Sequence, residues 1–130
     1  MLSIADWSAE ELEAVERGEH PGLWLAASNS PMHAVISGEI SAVDALETQL
    51  KQAGRKCAKL HVRKAFHSGL IAEAADTLRG LGLPREGSAA VPVASNLTGG
   101  WLSVGQLKSG SYWTDHMRGA VRWRQNAERL

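Results

Sequence analysis

The order in which short apolar segments and helical stripes follow one another over residues 1–62 limits this chain to few folds. Leu2-Ser3-Ile4-Ala5 alternates in the way of a half-buried strand. Ser8-x-x-Glu11 is a capping box, in which the Ser oxygen takes an amide of the first turn and the Glu reaches back to the cap. It starts a helix to about Arg17 that buries Leu12 and Val15 and stops at Gly18. His20-Pro21-Gly22 is a turn. Leu23 to Ser28 and Ala34-Val35-Ile36 read as strands around the turn residues Asn29-Ser30-Pro31-Met32, and Gly38 closes the second of them. Ser41 is expected to cap a second helix, with Asp44 in its first turn and Val43, Leu46 and Leu50 as its stripe, ended by Gly54. Lys56 to Val62 reads as a fourth strand. The order β-α-β-β-α-β predicts a ferredoxin-like α+β unit: a four-stranded antiparallel sheet with two helices on one face. That unit supports many functions and names none of them.

After this unit the pattern changes. Leu70, Ile71, Ala74, Ala75 and Leu78 have helical spacing, and Gly80-Leu81-Gly82-Leu83-Pro84 stops that helix. Arg85 to Ser88 is a polar loop. Ala90 to Asn96 is an apolar run with Pro92 inside it, which suits an edge strand. Leu97-Thr98-Gly99-Gly100 is a turn, Trp101-Leu102 a short strand or lid, and Lys108 to Ser111 a loop. Tyr112 to Arg118 reads as a helix and Ala120 to Leu130 as the start of another. One strand and three short helices cannot bury their own apolar faces. Residues 63–130 are therefore expected to belong to a larger domain, with residues 1–62 a small subdomain set into it. Three of the five Trp (Trp101, Trp113 and Trp123) lie in the last thirty residues, so that end needs something to bury them.

Charge excludes some partners. Lys plus Arg and Asp plus Glu number 14 each, which gives no electrostatic reason to expect nucleic acid or an anionic membrane. No apolar run approaches spanning length, and no charged start with an apolar stretch suggests a signal peptide. Cys57 is the single cysteine, so no intrachain disulfide forms and the cytoplasm is the expected compartment.

His67 is the leading candidate for chemistry. It lies at a predicted strand-to-helix junction, where rigid elements present side chains. An imidazole titrating near neutrality can take a proton from a hydroxyl and return it to a thiolate. His33, His61 and His116 lack any accompanying Cys-x-x-Cys or His-Glu-x-x-His, so no metal is expected. No Gly-x-Ser-x-Gly elbow exists. Trp101-Leu102-Ser103-Val104-Gly105 comes nearest, with Trp where the first Gly must be. Cys57, in a predicted strand, reads as a small core residue.

Ala65-Phe66-His67-Ser68, followed by Leu70 and Ile71, resembles the Ala-Phe-His-Ser-Pro-Leu-Met segment of polyketide synthase acyltransferase domains. It is similar, more distantly, to malonyl-CoA:acyl carrier protein transacylases. Ala26-Ala27-Ser28-Asn29-Ser30-Pro31 with Ala34 to Gly38, Pro92 to Gly99, and Tyr112-Trp113, His116, Arg118 and Val121-Arg122-Trp123 resemble further segments of that family, in its order. The resemblance implies the C-terminal half of such a domain: a ferredoxin-like small subdomain (1–62), then the C-terminal part of an α/β-hydrolase-like large subdomain (63–130). It implies that His67 is the base of a Ser-His dyad whose Ser lies outside this chain. Asn96 would then be a supporting residue whose carbonyl accepts from the imidazole. Phe66 and Ala65 would line the acyl pocket, Phe66 favouring malonyl through its volume, and Asn29 would line the cleft between subdomains. The implied substrate is a malonyl-type coenzyme A thioester, with no metal and no bound cofactor. The implied partners are an acyl carrier protein, the remaining N-terminal half and neighbouring synthase domains. The isolated chain is expected to be inactive. Arg63 and Lys64 depart from the family's usual Ser-His, Gly69 from its Pro, Ile71 from its Met and Ala120 from its Pro. Two other readings stay open: a non-catalytic ferredoxin-like binding module, and one half of a split acyltransferase.

Overall fold

A computed structural model describes residues 1–81 and 90–130. The stop expected after Leu81 and the loop from Arg85 to Ser88 lie outside the described residues. The first part runs β1 (Leu2–Ala5), α1 (Ala9–Glu16), β2 (Leu23–Ser30), β3 (His33–Gly38), α2 (Ile40–Gln52) and β4 (Cys57–Lys59). The strands form one sheet in the order β2-β3-β1-β4, every pair antiparallel. Ile36 faces Leu2 and Ala34 faces Ile4 across β1 and β3. Those four side chains are fully buried. With Leu12 and Val15 of α1 and Val43, Leu46 and Leu50 of α2 they make an apolar core, against which the half-buried Cys57 and Ala120 pack.

Local chemistry accounts for most boundaries. The Ser8–Glu11 capping box forms: Ser8 Oγ accepts from Glu11 N at 3.2 Å, and Glu11 Oε2 accepts from Ser8 N at 2.8 Å. Gly18 and Gly54 follow the two helices with φ of 76° and 70°, values that favour glycine. The cap of α2 differs from expectation. Glu39 occupies it, without a side-chain bond, and Ser41 lies inside the first turn. Glu39 N donates to Gly22 O at 2.9 Å, so the helix starts directly off the end of β3 and leaves no loop for Ser41 to cap.

The fourth strand is shorter than expected. It ends at Lys59; its one neighbour among the described residues is β1, and Leu60 N donates to Met1 O at 3.0 Å. Val62 N then turns back to Leu60 O at 2.8 Å, the i to i+2 closure of a γ-turn. Leu60 and Val62 are exposed despite their alternation with polar residues.

The second part holds a 3₁₀ turn (Gly69–Ile71), α3 (Ala72–Gly80), β5 (Ala94–Ser95), β6 (Gly100–Trp101), α4 (Val104–Lys108), α5 (Tyr112–Arg118) and α6 (Trp123–Ala127). The apolar run at 90–96 becomes a two-residue strand paired with β6, and Val91 and Val93 are exposed. In the same way Leu70 and Ala74 face outward, while Ile71 and Ala75 are buried. The tail attaches along the outer edge of β2. Ser28 N donates to Val121 O at 2.9 Å and Val121 N to Ala26 O at 2.8 Å. Arg122 pairs with Glu16 at 3.3 Å, and Trp24 packs over Gly69, where a Cβ would lie 3.3 Å from the indole. That contact gives a physical reason for glycine at position 69, because a proline ring would meet Trp24. The expectation that this end buries its Trp is not met within the described residues: Trp101, Trp113 and Trp123 are 50%, 41% and 55% exposed. Among the described residues no helix is long and apolar enough to cross a membrane.

Candidate functional site

His67 lies in the irregular stretch 60–68 rather than directly at the end of a strand. Its φ is 58°, one of two positive values outside glycine among the described residues. An L-residue other than Gly rarely holds this conformation, and it costs about 1–3 kcal/mol unless neighbours over-determine it. Here the neighbours are the last carbonyls of α5. His67 N donates to Met117 O at 3.2 Å. Its Nδ1 lies 3.2 Å from His116 O and 2.9 Å from Gly119 O. Both partners are carbonyls and can only accept, so Nδ1 carries the proton. A helix of any length ends with orphan carbonyls, and one histidine answers two of them, at His116 and Met117, together with Gly119 O just past the end. The neutral ring then has its lone pair on Nε2, which has no hydrogen-bond partner among the described residues. This is the tautomer a general base needs.

The next side chain fixes the bend. Ser68 is fully buried; its Oγ donates to Ala65 O at 2.5 Å and accepts from Leu70 N at 3.2 Å. It caps the 3₁₀ turn and has no free capacity as a nucleophile. Ser95 is equally committed, its Oγ 2.8 Å from Tyr112 Oη. Ser103 accepts from Gln106 N at 3.2 Å as the cap of α4, which removes the nearest elbow-like serine from consideration. Among the described residues no hydroxyl or thiol bonds His67.

Asn96 is placed differently from expectation. Its backbone carbonyl accepts from Arg122 N at 2.8 Å, and its Oδ1 accepts from Asn126 Nδ2 at 2.9 Å. It closes the turn after β5 onto the start of α6. The imidazole acceptors are instead His116 and Gly119, which sequence reasoning did not single out for this purpose. The helix over 112–118 was legible, and a helix end needs donors. Which donor arrives, from about fifty residues away, was not legible.

Phe66 is 42% exposed and Ala65 is half-buried beside it. Ala65 reaches the wall of an open cleft between the end of β3 and the 3₁₀ turn. Asn29, at the end of β2, has Nδ2 3.4 Å from His33 Nδ1, and His33 Nε2 lies 2.9 Å from Ser3 Oγ. Asn29 is not among the residues that line the cleft beside Ala65. His33, with both ring nitrogens occupied, ties β1, β2 and β3 together. Among the described residues no three His, Cys, Asp or Glu side chains converge as a metal site requires.

His116 packs its ring edge-on to His67, with centroids 5.9 Å apart, and stacks on Tyr112 at 6.2 Å. Burial, then the nearby His67, hold its pKa below the ordinary 6.5. The sign follows from linkage. The unfolded chain takes up this proton near pH 6.5, whereas the folded chain does so only at lower pH. The stability is therefore full above the unfolded value and is lost as pH falls through the folded one. The melting temperature is expected to drop between about pH 7.5 and about pH 5.5, and less steeply in His116→Gln. Thermal melts of the two proteins across that window check this. Glu11, held below its usual 4.5 chiefly by its bond to Arg55, titrates below the window.

No protein-family model matches the chain. It is 36% identical over 111 residues to the phenolphthiocerol synthesis polyketide synthase type I of Mycobacterium marinum, covering 84% of this chain and 5% of that protein. Among solved structures, the acyltransferase domain from the second module of the salinomycin polyketide synthase superposes with a TM-score of 0.81 at 33% identity. That match covers 98% of this chain and 30% of the other. The malonyl CoA-acyl carrier protein transacylase of Burkholderia pseudomallei shares the fold, with a TM-score of 0.84, over 99% of this chain and 44% of its own length. Its 24% identity supports the fold alone. The chain thus spans less than half of each of these proteins.

Proposed function

Because the chain belongs with the acyltransferase domains of polyketide synthases, and resembles their C-terminal part, we propose that His67 is the general base of a malonyl-type acyl transfer from coenzyme A to a carrier protein thiol. The observation that carries this reading is the pair of carbonyls, His116 O and Gly119 O, that hold Nδ1–H and turn Nε2 outward. In the first half-reaction Nε2 takes the proton of a Ser hydroxyl as the oxygen attacks the thioester carbonyl. The coenzyme A thiolate leaves with that proton, and an acyl-Ser ester remains. In the second, Nε2 takes the proton of the pantetheine thiol. The thiolate attacks the ester, and the proton returns to Ser.

The Ser is supplied from outside residues 1–130 in this reading. The split at residues 1–62 and 63–130 is part of the same proposal. The sheet order β2-β3-β1-β4 with α1 and α2 supports a ferredoxin-like small subdomain, and the exposed Trp101, Trp113 and Trp123 support a tail built to meet more of a large subdomain. Phe66 would narrow the acyl pocket. Discrimination of one methyl in such a pocket is worth ~1–3 kcal/mol, so Phe66 biases the enzyme toward malonyl. Asn29 would act at the cleft only through a rearrangement of its bond to His33. The enzyme works in the cytoplasm in this reading, without metal.

Reconstitution tests the proposal. The chain alone should not load a carrier protein from malonyl-coenzyme A. Mixed with an N-terminal acyltransferase half that carries a Gly-x-Ser-x-Gly elbow, it should do so, with malonyl-carrier protein read by intact mass. Transfer by the chain alone overturns the reading, and so does a stable assembled complex that transfers nothing.

A further inference from the structure

Two carbonyls choose which nitrogen of His67 carries the proton, but a hydrogen bond to one edge does not by itself stop a ring from turning over. Rotation of a histidine about Cβ–Cγ is broad and roughly two-fold. A half-turn puts Cδ2 where Nδ1 was and moves Nε2 off its line. The side chain placed against that turn is His116. Its ring meets the His67 ring at an interplanar angle of 86°, with centroids 5.9 Å apart. That is an edge-to-face contact at a separation aromatic pairs prefer. Packing on its other sides fixes His116 in turn. It stacks on Tyr112 at 17° and 6.2 Å, and meets Trp113 at 80° and 6.4 Å. Tyr112 is buried and anchored, its Oη 2.8 Å from Oγ of the fully buried Ser95. One column of side chains therefore runs from Ser95 of β5 through Tyr112 and His116 of α5 to His67.

We propose that His116 is a positioning residue for the base: its ring blocks the half-turn of the His67 imidazole and keeps Nε2 facing the reacting groups. The inference rests on the acyl-transfer reading for what the base does, and on the ring geometry for the restraint. A turning imidazole sweeps through the space beside its own faces, and the His116 ring stands in that space. His116 cannot yield without leaving its stack on Tyr112, and Tyr112 cannot follow without giving up Ser95. The carbonyl of residue 116 is backbone and survives any substitution, so the ring's part is separable from the carbonyl's. Burial favours the neutral form of His116, which keeps a second positive charge away from the imidazolium that forms on His67 in each half-reaction. A misplacement of about 1 Å at a reacting group can lower a rate ~10²-fold, so a base with the right tautomer still needs its ring held.

Nitrogen NMR of the whole chain, with the His67 ring assigned, reads the restraint directly. The neutral parent is expected to hold His67 in the Nδ1–H form alone. His116→Leu keeps bulk without a flat ring, and should give a mixture of both tautomers. His116→Phe restores the ring without its nitrogens, and should return the parental spectrum. His116→Gln, also without a ring, should behave as His116→Leu does and stands in for it if the leucine variant does not fold. In the reconstituted enzyme His116→Leu should lower kcat at least about 10-fold and leave KM for malonyl-coenzyme A within about twofold, with His116→Phe close to the parent. An unchanged His67 tautomer in both ringless variants overturns the positioning role. So does a kcat loss that His116→Phe shares, or a loss confined to KM. If the parent itself transfers nothing after assembly, the transfer reading fails, while the tautomer measurement still decides the restraint, because it needs no partner half.

Discussion

In a reconstituted acyltransferase, His67→Asn is expected to lower malonyl transfer by about 10²–10⁴-fold while the chain keeps its fold. Asparagine is among the few residues that accept a left-handed backbone, and position 67 has φ of 58°. Its side-chain amide can donate to Gly119 O in place of Nδ1, so the end of α5 remains satisfied. What is lost is the Nε2 lone pair, because an amide nitrogen is no base. His67→Ala should be as inactive and also less stable, since the bond from Nδ1 to the carbonyls of His116 and Gly119 disappears. The two substitutions separate chemistry from architecture. If His67 only caps α5, His67→Asn should transfer at nearly the parental rate, and that result would remove the base from the mechanism. Single-turnover acylation followed by mass spectrometry reads the first half-reaction directly.

Gly38→Ala should be the most damaging single methyl in residues 1–62. A Cβ there would lie 2.3 Å from Gly22 O, 2.8 Å from Leu23 Cδ2 and 3.2 Å from Leu23 Cα. Two of these neighbours are backbone, so no rotamer change relieves the clash. The contact also falls where Leu23 pairs with Gly38 at the end of the β2–β3 ladder, and where Gly22 O accepts the bond from Glu39 N that begins α2. Strand and helix would have to separate together. The expected loss is about 2–4 kcal/mol, or roughly 10 °C in melting temperature for a chain of this size. Gly18→Ala is the contrast: nothing lies within 4 Å of its Cβ, though φ is 76°, so it should cost only ~1–2 kcal/mol for the backbone conformation. Paired thermal melts decide this, and equal losses would mean that the β2–β3 end is free to open.

Much of residues 1–62 was legible because its signals are local. The Ser8–Glu11 box, the stripe Val43, Leu46 and Leu50, and the stops at Gly18 and Gly54 each involve neighbours within a turn or two, and each appears where expected. The helix over Tyr112–Arg118 was read to the residue. The same kind of box at Ser103 and Gln106 starts α4, but with five residues that helix is too short to show an apolar period. The misreadings share a different cause. Leu60 and Val62 alternate as a strand should, yet β4 stops at Lys59, because Val62 N turns back to Leu60 O and bends the chain away from the ladder. Ser41 is a good cap residue with no end to cap, because the bond from Glu39 N to Gly22 O starts the helix earlier.

The sequence by itself determined the order of elements in residues 1–62 and brought His67 forward, through spacing, capping and the resemblance of the residues around it. Tertiary structure alone decided what His67 can do. Its proton-bearing nitrogen is chosen by carbonyls 49 and 52 residues away, and Asn96, expected in that place, is held by Arg122 and Asn126 instead. Propensity and periodicity report interactions along the chain. A tautomer, and a cleft between the end of β3 and Arg63, depend on which distant backbone groups packing brings within 3 Å, and no local pattern encodes that.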